Sequence, residues 1–266
     1  MMKGTTLIIM LFIGSVSADA QSIFDKAEHW LKEHHATISY GPQYSWYKYS
    51  HIRIVQPELK RDAELMYVQG QQTDNSAALK RGEITTAQSK ISLTIELSKN
   101  YAIQLYTTHL NYEVISTNDY HLRGVWDGNT IAETITTRNY INQLEHTNGL
   151  NFWSVGVKRN ISLLEKDNLG IHVGLMPNIG SVFTATQAQI YTPAGDLAYY
   201  DPGNKISGFM IGGEVSLNTV LYKHWVLAGN YNFFQTYINK AQLDHESYIA
   251  QRLRGSHYGV SLGYRL

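Results

Sequence analysis

Cysteine is absent from the 266 residues, so the chain has no disulfide framework, no thiol nucleophile and no cysteine-ligated metal. Proline is scarce, with five residues. Beyond the N-terminus the sequence lacks any apolar run near the roughly 20 residues that a membrane helix needs. The charges balance, with 22 Lys plus Arg against 22 Asp plus Glu. This balance argues against a nucleic-acid-binding protein, which normally carries a basic excess.

Tyrosine and glycine are abundant instead, with 19 and 21 residues. Tyrosine is enriched at the two membrane interfaces of transmembrane barrels, and glycine occurs where a sheet bends or its interior is crowded. Because the chain offers no helix that could span a bilayer after its first residues, any insertion must be as a closed sheet.

The first twenty residues have the composition of a secretory signal peptide. Lys3 precedes the apolar run 7–13, and the segment ends in Ala18-Asp19-Ala20, an A-x-A cleavage pattern. The apolar run is too short for a membrane anchor. We therefore predict a signal peptide over residues 1–20 and a mature chain that begins at Gln21.

Within the last thirteen residues, positions 257–266 alternate strictly between apolar and small or polar side chains. Successive side chains of a β-strand point to opposite faces, so the segment predicts a strand with one lipid-facing side. It resembles the C-terminal assembly signal of bacterial outer-membrane barrels, although that signal usually ends in Phe. The resemblance implies recognition by the barrel-assembly machinery. The residues of this predicted signal are Tyr258, Val260, Leu262, Tyr264 and Leu266.

Seven further segments alternate in the same way, and short connections between them alternate with long ones. Short turns on one side and long loops on the other are typical of outer-membrane barrels. A soluble barrel would instead enclose an apolar cavity behind a charged exterior. We therefore predict an all-β fold, an eight-stranded antiparallel transmembrane β-barrel over residues 36–266. The predicted strands are 36–49, 88–98, 101–112, 149–158, 169–183, 207–218, 225–234 and the terminal strand.

The connections carry predictions of their own. The links 98–100, 159–168 and 220–224 are short, and 51–87, 113–148, 184–206 and 238–254 are long. Within the long ones, 112–117 and 133–141 alternate enough to continue strands beyond the membrane. The charged segment 58–64 predicts a solvated surface, and 199–204 has the residues of a tight turn.

Aromatic residues at the ends of the outward faces predict two interfacial girdles. They are Tyr44, Trp46, Tyr101, Trp153, Trp225 and Tyr264. Before the barrel, residues 21–35 have apolar positions at helical spacing, which predicts a short amphipathic helix at the periplasmic interface. Its anchors would be Phe24, Trp30 and Leu31. The alternative is a cap that closes the lower end of the barrel.

Charged or titratable residues on the inward faces predict a polar network inside the lumen. A charge in a small dry barrel must be paired or hydrogen-bonded, because an uncompensated one costs several kcal/mol. An eight-stranded barrel is filled by side chains and leaves no porin-sized channel. The predicted network is Glu96, Lys158, His172, Glu214 and Arg265.

The sequence predicts no catalytic residue, metal site or cofactor. Among the histidines, His34 and His35 are adjacent and point apart, so no set has the spacing of a metal site. On the last strand, His257 and Ser261 lie four residues apart, about 13 Å, too far for a nucleophile and its base.

The whole pattern resembles the small eight-stranded OmpA/OmpX/OmpW-type barrels, and the segment 38–47 resembles uncharacterised outer-membrane β-barrel proteins of Bacteroidetes type. This resemblance implies a monomer in the cell outer membrane, in contact with its lipid and lipopolysaccharide. We predict a non-enzymatic protein, structural or binding a surface ligand through long extracellular loops. The alternatives are a lipid A-modifying acyltransferase or deacylase and a passage for small hydrophobic solutes.

Overall fold

The computed structural model describes residues 18–68, 88–116, 121–134, 143–191, 197–242 and 246–266. In these ranges one helix precedes eleven antiparallel strands. The elements are α1 (Ala18–Glu33), β1 (Thr37–Gln56), β2 (Arg61–Val68), β3 (Ser89–Ser98), β4 (Tyr101–Ser116), β5 (His121–Trp126), β6 (Asn129–Thr134), β7 (Gln143–Lys166), β8 (Leu169–Tyr191), β9 (Leu197–Leu221), β10 (Trp225–Gln242) and β11 (Tyr248–Arg265).

Eight of the strands close into a ring in the order β1-β3-β4-β7-β8-β9-β10-β11, with β11 paired to β1. This ring confirms the predicted eight-stranded antiparallel barrel. Following the paired residues once around the ring from Thr37 leads back to Tyr47, a shift of ten residues along β1. With ordinary strand spacings, that shift corresponds to a strand tilt of about 40°.

The barrel is apolar outside and polar inside. On β11, Val260 is 57% exposed while the next residue, Ser261, is 8% exposed. The same alternation runs around the ring, because each barrel strand turns its apolar residues outward and its small or polar residues inward. A soluble barrel has the opposite arrangement. No helix in the described ranges is long and apolar enough to cross a membrane.

Several strands run further than predicted. β7 continues to Lys166, so the predicted connection 159–168 shrinks to a turn at 167–168. The prediction of a tight turn at 199–204 is wrong, because these residues lie in β9 and the register with β8 shifts there. Proline and glycine are tolerated at such an irregularity, where a ladder hydrogen bond is already lost.

The long connections also contain strands. β2 pairs with the upper part of β1, so part of the predicted solvated segment 58–64 is sheet. β5 and β6 form a hairpin whose turn residues, Asp127 and Gly128, both have positive φ, as a tight two-residue turn requires. We call residues 51–68 and 121–134 the outer extension. β4 reaches Ser116, as the continuation at 112–117 predicted; residues 135–142 lie outside the described ranges.

The opposite end of the barrel holds the short turns, the helix and the C-terminus. The Leu266 amide donates to the Ala36 carbonyl at 2.8 Å, and the Glu96 amide donates to the His34 carbonyl at 3.0 Å. The helix was predicted over 21–35 and is observed over Ala18–Glu33. Most of the predicted signal peptide lies outside the described residues, and its cleavage after Ala20 stays a prediction.

Candidate functional site in the barrel lumen

An apolar belt surrounds the barrel between two aromatic girdles. Near the short turns, the rings of Trp225 and Tyr264 meet edge to face at 5.4 Å, with Tyr101 exposed in the same girdle. Towards the outer extension, Tyr44 contacts Tyr258 at 5.2 Å, and Trp46 and Trp153 are exposed nearby. An outward apolar belt of this kind on a closed antiparallel ring is the surface of an outer-membrane barrel. The protein therefore lies in the outer membrane.

The lumen begins, at the end with the short turns, with an ion pair and an open cavity. Arg265 donates to Glu96 at 2.6 Å, so two of the predicted lumen residues meet each other. The cavity, of about 290 Å³, opens beside this pair, and His172 lies in its wall. This is the part of the lumen that opens to solvent at the end with the short turns.

A second, fully buried ion pair lies deeper. Glu214 accepts a hydrogen bond from Lys90, and both side chains are at most 5% exposed. The Lys90 ammonium also lies 4.5 Å from the centre of the Tyr106 ring. Asn232 donates to the Tyr106 hydroxyl at 3.2 Å and towards Glu214 at 3.5 Å. These extra contacts compensate the desolvation that would otherwise make a buried pair costly.

Lys90 and Tyr106 are missing from the predicted network. The signal for Lys90 is present in the sequence, since it shares parity with Ser92, Thr94 and Glu96 on the strand predicted over 88–98. The predicted residues do not form one cluster: Glu96 and Arg265 lie at the mouth, and Glu214 lies deeper with a lysine that the prediction omitted.

Lys158 stands apart from both pairs. It is 5% exposed, and its ammonium donates to the Asn218 side-chain oxygen at 3.2 Å. Asn218 in turn donates to the Ser216 hydroxyl at 3.1 Å. Among the described side chains, no carboxylate lies within ion-pair distance of Lys158. Its ammonium group therefore has one amide oxygen as a partner and lies in the wall of the cavity.

Above the charged layers the lumen turns apolar. His257 and Asn230 both approach the Gln43 side-chain oxygen, at 3.0 and 3.1 Å. Beyond them the rings of Phe152 and Phe234 pack at 5.0 Å. Phe234 lies near the outer girdle. It pairs with Gly255 on β11, and Gly255 pairs with Tyr47, the residue after Trp46 of that girdle.

These two rings belong to a larger buried set, which we call the apolar plug. It extends from the level of Glu214, which pairs with Met176, towards the outer girdle, together with buried polar residues such as Thr108 and Thr236. The plug consists of Leu110, Phe152, Met176, Val182, Met210, Phe234 and Leu253, each at most 4% exposed.

The side chains around the buried His257 do not form a nucleophile–base–acid arrangement. The His257 imidazole faces the Gln43 amide rather than a carboxylate, so it lacks the acidic group that orients a general base. Among the residues that the structure describes, no group of three or more His, Asp and Glu could hold a metal ion.

The helix lies at the end of the barrel with the short turns, and the terminal strand has one face in the apolar belt. Trp30 is exposed and stacks on His34 at 4.3 Å, while Leu31 is partly buried. The Phe24 side chain lies outside the described part. Of the predicted assembly signal, Tyr258, Val260, Leu262 and Tyr264 point outward into the belt and Leu266 is partly buried.

Ion pairs tie the outer extension together. Arg53 binds Asp62 through two hydrogen bonds of 3.0 and 2.9 Å, and Arg123 binds Glu64 at 2.7 Å. Burial acts to raise the pKa of Glu64, but Arg123 and His51 outweigh it and hold that pKa below its ordinary value. The hydrogen bond with Asp62 raises the pKa of Arg53, against a smaller effect of burial.

One end of the extension also has a packed face. The Arg61 guanidinium lies 4.4 Å from the centre of the Trp126 ring and donates to Asp127 at 2.5 Å. Trp126 and Ile131 are buried beside it. The extension is therefore an ordered sheet that continues the barrel wall.

No family model matches the sequence, and no curated protein is similar to it. Among solved structures, the chain is similar to the outer membrane protein AlkL, with 11% identity, a TM-score of 0.39, and coverage of 87% of this chain and 89% of that one. OprG from Pseudomonas aeruginosa matches with 11% identity and a TM-score of 0.38, over 87% of this chain and 96% of that one.

The outer membrane protease OmpT from Escherichia coli is similar at the same level. It shows 12% identity and a TM-score of 0.36, over 87% of this chain and 96% of that one. Likeness this distant does not specify a function, and the proposals below depend on the residues of this chain.

Proposed function

We propose that this protein is a non-enzymatic outer-membrane barrel that binds a ligand at the cell surface through its outer extension. The observation that carries the proposal is the contrast between the two ends of the barrel. The lumen is closed at the outer girdle by the apolar plug, whereas the wall continues beyond it as an ordered, ion-paired sheet.

The closed lumen argues against the two alternative functions. A passage for hydrophobic solutes needs a lumen that opens sideways through the wall, and Phe152 and Phe234 pack against each other inside the lumen. A lipid A-modifying enzyme needs a nucleophile and an oriented base, and His257 faces an amide in the lumen. Binding through segments carried by a rigid scaffold is the role left for the outer end.

Lipopolysaccharide is the partner that the outer rim favours. Arg252 and Arg254 are exposed on β11, beyond Tyr258 of the outer girdle. Arg254 is held by the Gln235 oxygen at 2.7 Å, and Arg252 lies 5.2 Å from the centre of the Tyr237 ring. Guanidinium groups bind phosphate in a bidentate manner, and the phosphates of the outer leaflet lie at this depth.

Titration of purified lipopolysaccharide into the barrel in neutral detergent tests this proposal. Replacing both Arg252 and Arg254 by Ala should weaken binding at least tenfold, since two charge-assisted contacts are lost. The matched control replaces two exposed lysines at the periplasmic rim, Lys99 and Lys166, and should leave affinity within twofold. An equal loss of affinity in both double variants would contradict specific binding of lipopolysaccharide at the outer rim.

Mass spectrometry of lipid A distinguishes the non-enzymatic proposal from the enzymatic alternative. Outer membranes with and without the protein should give the same acyl composition. A gained or lost acyl chain that depends on the protein would overturn the non-enzymatic proposal and move attention to serine, histidine and glutamate residues near the rim.

A further inference from the structure

We propose that the periplasmic cavity is a binding site for a small oxyanion, a carboxylate or phosphate group, held by Lys158. This site is separate from the outer extension and does not depend on the ligand bound there. The proposal follows from the volume of the cavity, its charge, and the way in which the fold positions one buried ammonium group.

The cavity has the size of a small-ligand site and an excess of positive charge. Its volume of about 290 Å³ is near the lower limit of small-molecule pockets, and far above the space of a single water. Six lysines and arginines line it against four aspartates and glutamates. In its deep part, Lys90 and Lys158 face one carboxylate, Glu214, which Lys90 already binds.

Of the two buried lysines, Lys158 is therefore the one with no carboxylate within ion-pair distance, and it shares Glu214 with Lys90 only at longer range. An ammonium has three N–H donors, and among the described side chains it finds one acceptor, the Asn218 oxygen. A buried charge with so little compensation is costly unless something in the cavity supplies negative charge. An oxyanion would supply both the charge and the missing acceptors.

A glycine on β8 leaves room for the Lys158 side chain. A Cβ on Gly174 would lie 2.1 Å from the Lys158 Cε and 2.6 Å from the Ser216 hydroxyl. The absence of a side chain at Gly174 is thus what lets Lys158 lie across β8 towards the cavity. Ser216 accepts from Asn218, a bond that does not use its hydroxyl proton.

The route to the site runs from the periplasm only. The cavity opens between the turns that join β3 to β4 and β7 to β8, with Lys99 and Asn168 in its wall. Towards the outside, Tyr106 and the apolar plug close the lumen. The ligand is therefore a periplasmic solute or an anionic group presented from that side.

Calorimetric titration of the folded full chain in neutral detergent tests the site. Inorganic phosphate and acetate serve as separate probes, against a background of chloride at constant ionic strength. We expect saturable binding of at least one probe. Lys158→Met keeps the length of the side chain and removes its charge, and should weaken binding at least tenfold. Lys158→Arg should restore most of the affinity.

The matched control is Arg159→Met, which removes the next cation on the same strand; Arg159 is exposed and does not line the cavity. It should change the affinity by less than twofold. Gly174→Ala keeps every lysine but displaces the Lys158 side chain, and should weaken binding as well. Slower or faster migration of the unheated protein on a gel, compared with the wild type, identifies variants that fail to fold.

Three results would overturn the proposal. They are the absence of saturable heat with either probe, equal binding by the wild type and folded Lys158→Met, and loss of binding in Arg159→Met alone. The last result would show that the anion binds outside the cavity. Each of these outcomes leaves the lipopolysaccharide test at the outer rim unaffected.

Discussion

Replacing Glu214 by Gln should be the most destabilising single change of charge in this barrel. Glu214 is 3% exposed and is the carboxylate that accepts from Lys90. Its removal leaves two buried ammonium groups, Lys90 and Lys158, with amide and hydroxyl partners alone. Breaking a buried pair by removing one partner costs about 3–5 kcal/mol. We therefore expect the free energy of unfolding to fall by about that amount.

Urea unfolding of the barrel in lipid vesicles, followed by tryptophan fluorescence, measures this change. The control is Glu165→Gln, which removes a carboxylate from an exposed pair with Lys99 at the turn. It should leave the unfolding midpoint where it is, because exposed pairs contribute little. A double variant, Lys90→Met with Glu214→Gln, should recover much of the loss.

A loss below about 1 kcal/mol in Glu214→Gln would refute the reasoning, since that is the effect of an exposed pair. So would strict additivity of the two single changes, because residues that interact directly must show a coupling energy.

Three further predictions concern the plug, the lipid face and the outer extension. Phe234→Ala should cost about 3–5 kcal/mol in the same urea assay, as a core deletion does; a loss below 1 kcal/mol would contradict a packed plug. Val260→Lys, on the lipid face between the girdles, should cost about 2–4 kcal/mol, whereas an unchanged midpoint would reject membrane contact there. Glu64 stabilises the extension fully above its ordinary pKa of 4.5 and progressively less as the pH falls through its lowered folded pKa, so the amide-exchange protection factors in β2 and β5 should fall in acid. Glu64→Gln should abolish that fall, and acid-insensitive protection factors in the wild type would refute the role of this pair.

Alternation of side chains made the barrel wall predictable. A membrane strand must show lipid an apolar face, so the period of two is strict between the girdles, as in 258–266. Beyond the membrane that requirement ends, and β7, β8 and β9 continue through residues without an apolar stripe. Their length depends on ladder hydrogen bonds with neighbours, which a single segment does not reveal.

The pairing inside the lumen was not predictable for a different reason. Lys90 and Glu214 are 124 residues apart and come together through the closure of the ring. Parity places each residue inside, but the shift of ten residues around the ring decides which layer it shares. The hairpin at Asp127-Gly128 was missed although the sequence carries its signal, since Asp-Gly between extended segments is a direct turn signal.

The two proposed sites face different compartments because of how the lumen changes along the barrel. Alternate residues of each strand face the lumen both below and above the Lys90–Glu214 pair. The change from charged to apolar lining therefore comes from which residues occupy the inward-facing positions and not from the fold. Lipid does not contact the inward face, so membrane insertion would tolerate polar residues throughout the lumen. An apolar plug at the outer girdle therefore has another effect: it separates the periplasmic cavity from the outer extension. A ligand of Lys158 and a ligand of the outer rim must then arrive from opposite sides of the membrane.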